Sequence, residues 1–177
     1  GCMHHLETKG QPGRRITSCR WDMRDFFETA VKEYCQETSK SLKHAETPCP
    51  PDLPSSQLDE LLYSPGELQP LSAKFLMKLM YGYRMALPSI AVPIQRLASC
   101  ITRWNAECDR RLHRLMCYVH SHLDTQLVGN LSEMDSETCQ LRLWPDADLN
   151  GDVLTTKSTG GFFLELSGSP GRFMPLS

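Results

Sequence analysis

Apolar residues recur along this chain at helical spacing in four places and alternate as in a strand in two. Phe26, Phe27, Ala30, Val31 and Tyr34 predict a helix from about Trp21 to Glu37, with Asp22 and Asp25 favouring its N-terminal end. Leu68, Leu71, Phe75, Leu76, Leu79, Met80 and Tyr83 form a second stripe. Ser64–Glu67 reads SPGE, a capping-box pattern with Pro65 at the first helical position, while Pro70 delays the start. This helix stops at Leu87-Pro88. A third helix carries Ile90, Ile94, Leu97 and Ile101, with Pro93 kinking it or postponing its start. The fourth pattern is the clearest: Leu112, Leu115, Met116, Val119 and Leu123 share one arc, with Arg110 and Arg114 opposite.

Downstream, Cys139, Leu141 and Leu143 alternate with Gln140, Arg142 and Trp144, which predicts a strand; GGFFLELSG, residues 160–168, predicts another. The fold class expected is therefore α+β, a helical segment followed by an antiparallel sheet. Residues 1–20 show no pattern and are expected to be disordered; 21–63 hold one helix and a proline-rich acidic connector; 64–130 are helical; 131–177 carry the strands. The connector has six prolines between Pro48 and Pro70, so an extended chain is expected there.

Net charge is −2, which carries no global nucleic-acid signal, but its distribution is uneven. Ala45 to Ala73 has five acids and no Lys or Arg, whereas Arg96 to Arg114 has five Arg against two acids. The second segment suits a phosphate backbone. Its candidate contacts are Arg103, Arg110, Arg111 and Arg114, against the plainer reading of a solvated helix face. The eight cysteines are scattered with no C-x-x-C, as expected for reduced thiols in an intracellular chain, cytoplasmic or nuclear. No run approaches the roughly 20 apolar residues of a membrane helix.

His113, Cys117 and His120 have the spacing of a one-sided zinc site without a convincing fourth ligand, so a half-buried helix flank is the stronger reading. Glu165 is expected to point outward from its strand. Asp146, Asp148 and Asp152 crowd the end of the first strand; Asp146 and Asp148 fall on one face, where solvation in an ordinary Asp-rich turn, the stronger reading of the residues alone, or a cation such as Mg²⁺ would relieve their repulsion.

The segment WPDADLNGDVLTTKSTGGFFLEL resembles the passage from reverse transcriptase into ribonuclease H in copia-type retrotransposon polyproteins. Asp146-Ala147-Asp148, Gly151-Asp152, Lys157-Ser158-Thr159 and Gly161 carry the match. Upstream, LMKLMYGYRMALPSIAVPIQRLASCITRW and CDRRLHRLMCYVHSHLDTQL are similar, in the same order, to the helices that precede this passage. The resemblance implies thumb and connection helices that grip a template–primer duplex, followed by the opening of a ribonuclease H-like sheet. It makes Asp146 the first metal-binding carboxylate of a Mg²⁺-dependent site acting on RNA–DNA hybrids. No aromatic-x-Asp-Asp polymerase hairpin occurs, and the other ribonuclease H carboxylates would lie beyond Ser177. The expectation is an incomplete metal site at Asp146 and Asp148, no catalysis by this chain alone, and an exposed sheet edge and apolar face. Leu87, Ser89, Pro93, Pro145 and Leu149-Asn150 depart from the family pattern, as in a decayed copy. The competing reading is a helical interaction module, domesticated or decayed, that binds a protein through its Leu/Met stripe.

Overall fold

The computed structural model describes residues 1–148 and 159–176. Its elements are β1 (Met3–Lys9), β2 (Ile16–Asp22), α1 (Arg24–Thr38), α2 (Ser55–Tyr63), α3 (Gln69–Met85), α4 (Ala91–Ala98), α5 (Ala106–Ser121), β3 (Leu127–Ser132), β4 (Gln140–Asp148), β5 (Thr159–Ser167) and β6 (Phe173–Leu176). They divide into two compact units, one of Gly1–Met3 and Asp22–Gln126, the other of His4–Trp21 and Leu127–Ser177. The α+β class holds.

The first unit is helical. Phe27 and Tyr34 of α1 are fully buried with Phe75, Leu76 and Leu79 of α3, Ile94 and Leu97 of α4, and Leu112, Leu115 and Met116 of α5. Each such side chain contributes roughly 1.5–3 kcal/mol on leaving water. Residues 22–126 thus share one core, while the end of the expected helical segment 64–130 is strand β3 of the other unit. The α3 stripe foreseen as a docking face is spent on that core, because α1 and α4 both pack against it.

The SPGE capping box does not form, and α3 begins only at Gln69. Ser64 instead closes α2, its N–H donating to the Glu60 carbonyl, and Pro65 bridges to Asn105. The N–H groups of Glu67 and Leu68 donate to the Asp109 carboxylate at 2.6 and 3.1 Å. Pro70 occupies the first turn of α3, where a missing N–H costs no helical bond. Pro93 sits in the first turn of α4, which already begins at Ala91, and is tolerated there for the same reason. The connector is also not wholly extended. Between Pro54 and Pro65 lie ten residues without proline, and they form α2.

The second unit is all β. Residues 1–20, expected to be disordered, supply β1 and most of β2. The glycines that made this stretch look patternless lie between the two strands, Gly10 and Gly13 adopting φ of 117° and 81° that other residues resist. β2 pairs antiparallel with β3 from Ile16↔Ser132 to Trp21↔Leu127, so the order is β1-β2-β3. The other sheet is an antiparallel meander, β4-β5-β6. β3 packs on β6 at Gly129, where a Cβ would come 2.5 Å from Pro175.

Asp135 ties this unit together. Its carboxylate accepts from the Ser132 N–H at 2.7 Å, the Ser169 N–H at 2.7 Å and the Ser169 hydroxyl at 2.5 Å. The Ser169 hydroxyl first, then the Ser132 N–H, holds the Asp135 carboxyl below its ordinary range. A depressed carboxyl contributes stability that is present above its unfolded pKa and lost as pH falls through the lowered folded value. Asp135→Asn should therefore destabilise the second unit at neutral pH and flatten its acid-unfolding limb, measured by denaturant titration at pH 7 and in the carboxylate range.

α1 and α3 approach closely because Gly82 faces the Phe27 ring: a Cβ there would lie 2.3 Å from Cε1. Overpacking of this kind costs about 1–3 kcal/mol, against about 1 kcal/mol gained in helix propensity. Gly82→Ala should lower the thermal midpoint, whereas an exposed helix glycine would raise it on the same change.

Candidate functional site

Three of the four arginines nominated for phosphate contact, Arg110, Arg111 and Arg114, lie on α5, and the start of that helix determines what they do. Asn105 caps it, its side chain accepting from the Cys108 N–H at 3.0 Å. Glu107 and Asp109 follow in the first turn, where the helix dipole favours carboxylates, yet both point inward and are buried. Asp109 accepts from Trp104 Nε1 at 2.6 Å as well as from the two α3-entry N–H groups. Gly66 allows this closure, since a Cβ there would meet Trp104 Cδ1 at 2.4 Å.

Glu107 takes both neighbouring guanidiniums. Arg110 donates to it through Nε at 2.6 Å and Nη2 at 2.8 Å, and Arg111 through Nε at 2.7 Å. Burial pushes the Glu107 carboxyl up, but these hydrogen bonds outweigh it and hold the group below the ordinary range. Arg110 also donates to the Pro51 carbonyl at 3.1 Å, and Arg114 to the Thr47 carbonyl at 2.9 Å and hydroxyl at 3.0 Å. The face expected either to meet phosphates or to be solvated is a clamp on the proline-rich connector. Such a chain offers carbonyls without a regular ladder to receive them, and forked guanidiniums suit that need. Arg103 alone of the four nominated residues is exposed, in a short 3₁₀ turn, Ile101–Arg103. Arg96, Arg110 and Arg111 with Cys49, Pro93 and Leu97 line a cavity of about 80 Å³, large enough for a few waters.

Of the histidine–cysteine trio, two members meet and the third points away to solvent. His113 Nδ1 lies 3.1 Å from the Tyr34 hydroxyl and Nε2 lies 3.7 Å from Cys117 Sγ, while His120 is exposed. Burial, and then Lys40 and Lys43, lowers the His113 pKa, so the neutral ring is favoured. Among the described residues no group of three His, Cys, Asp or Glu is placed to hold a metal ion.

Asp146 lies on β4 opposite Gly161 and is exposed. Asp148 is the last residue of β4, and Asp152 lies outside the described residues. Pro145 is tolerated because β4 is an edge strand of its sheet among the described residues. Glu165 does not point into solvent as expected but is 8% exposed. It sits on the central strand, flanked by Arg142 and Pro175, and two neighbouring strands cover what an edge position would leave open.

Compared with known proteins, the chain matches no family model, no curated protein and no solved structure.

The residues missed from the sequence are Glu107 and Asp109. The available signal was two acids within an arginine-rich stretch, of which Glu107 stands at i to i+3 and i+4 from Arg110 and Arg111. Glu107→Ala should destabilise the helical unit by about 2 kcal/mol, the order of a charge-assisted hydrogen-bond pair. It should also speed proteolysis between Glu46 and Asp52. Arg114→Ala should loosen the connector with little loss of global stability. Urea unfolding and timed proteolysis check both.

Proposed function

We propose that this chain is a part of a copia-type polyprotein, covering the end of the reverse transcriptase and the opening of ribonuclease H, and that its helical unit is a scaffold rather than a reaction centre. The observation that carries the reading is the place of Asp146: it lies on the first strand of an antiparallel three-stranded meander that follows the α3–α4–α5 helices. That order agrees with the collinear run of resembling segments. The ribonuclease H-like character of the meander belongs to this proposal.

The described residues do not fit a two-ion Mg²⁺ site. Asp146 is exposed, and no group of three potential ligands gathers in them. No catalytic step is assigned to the chain by itself. Affinity for an RNA–DNA hybrid rests chiefly on Arg103, since Arg110, Arg111 and Arg114 already have protein acceptors. Protein binding through the helical stripe has less support, because Leu68, Phe75, Leu76 and Leu79 are buried in the chain's own core. No helix among the described residues is long and apolar enough to cross a membrane.

With Mg²⁺ and an RNA–DNA hybrid, the purified chain should give no cleavage and weak binding with a shallow salt dependence, about one counterion equivalent. Arg103→Ala should remove most of it. Cleavage abolished by Asp146→Asn, or a salt slope of several counterions, overturns the scaffold reading. Sequencing the surrounding gene tests the family: polymerase-palm and further ribonuclease H segments should flank this region, and a frame with neither overturns it.

A further inference from the structure

The β4–β5 hairpin presents more apolar surface than its own unit covers. Leu141, Leu143, Trp144 and Phe162 are 64, 57, 54 and 76% exposed, and every described side chain of β4 is exposed. β4 is nine residues long and is paired on one edge only among the described residues. A long apolar edge strand of this kind is a template for another strand.

The order of charges along β4 names that strand. Arg142 and Asp146 are equidistant from Trp144 and lie on the same face. If two β4 strands run antiparallel about a twofold axis at Trp144, Arg142 of each copy falls opposite Asp146 of the other. Both charge pairs form at once. Leu141 then faces Ala147, Leu143 faces Pro145, and the two Trp144 rings meet on the axis. An axis at Leu143 leaves Arg142 and Asp146 opposite uncharged residues, an axis at Pro145 trades Asp146 for Asp148 opposite Arg142 but sets Asp146 against Trp144 and two donor-less prolines on the axis, and parallel pairing in register sets like charges side by side. We propose that β4 is a homodimerisation edge, and that its partner is β4 of a second copy in this single register.

Other groups near the edge fit the pairing. Arg142 already lies across from Glu165 on β5, and the second copy's Asp146 would meet it from the open side. Asp146 faces Gly161, which has no side chain to compete for it. Pro145 lacks an N–H, so the Leu143–Pro145 pairs contribute apolar contact more than ladder bonds. The edge is an isologous surface, in which each residue meets its complement by symmetry. This inference is independent of the polyprotein reading.

Sedimentation equilibrium of the full chain should show the mass rising with concentration toward twice 20.1 kDa. Asp146→Arg places two like-charge pairs across the axis and should weaken the dimer about tenfold; Asp146→Glu should keep it. Circular dichroism should be unchanged in both. Trp144→Cys under mild oxidation should give a cross-linked dimer whose bond maps to position 144 in both copies. A chain that stays monomeric throughout, a dimer indifferent to Asp146→Arg, or a dimer with no link at position 144 overturns the proposal.

Discussion

The helical unit depends on one carboxylate. Asp109 gathers the indole of Trp104 and two backbone N–H groups at the entry to α3, and it is itself fixed by the first turn of α5. Three donors on one buried carboxylate satisfy it where water is excluded, and each such bond is worth roughly 1.5–3 kcal/mol. The entry of α3 is thereby tied to α5, and the apolar faces of α1, α3, α4 and α5 meet behind that tie. A helix start that looked local in sequence is set by a residue about forty positions away.

The same turn explains the arginines. A run of five Arg reads as an anion-binding surface when only the sequence is weighed. In the fold, a buried Glu107 and the carbonyls of Thr47 and Pro51 take three of them. The cations are acting as donors to internal acceptors: Arg110 and Arg111 share the one Glu107 carboxylate, and Arg114 is held by neutral oxygens of Thr47. A basic segment signals nucleic acid only to the extent that its guanidiniums remain uncommitted.

The β unit shows the converse. Its N-terminal strands and β3 are held by pairing, and Asp135 and Gly129 set how closely β3 and the β5–β6 turn approach. The β4–β5 hairpin keeps its large apolar side chains in water. That asymmetry leaves β4 as an apolar edge among the described residues.

Much was legible without the structure. Phe27, Ala30, Val31 and Tyr34, and the Leu112–Val119 arc, proved to be core because a 3.6-residue period has few other uses in a polar chain. The strands around Leu141 and Phe163 followed from alternation and flanking turn residues. β1 and β2 were not legible, because their polar faces are exposed and the glycines between them mimic disorder. α2 was hidden by the prolines around it, and the capping box at Ser64 was a correct pattern outcompeted by Asp109. Local periodicity is encoded residue by residue, so the sequence by itself determined which segments are helix or strand and which faces are apolar. Only the tertiary structure decided which charges are spent, which stripe is core and which edge is open, because those depend on partners far away along the chain.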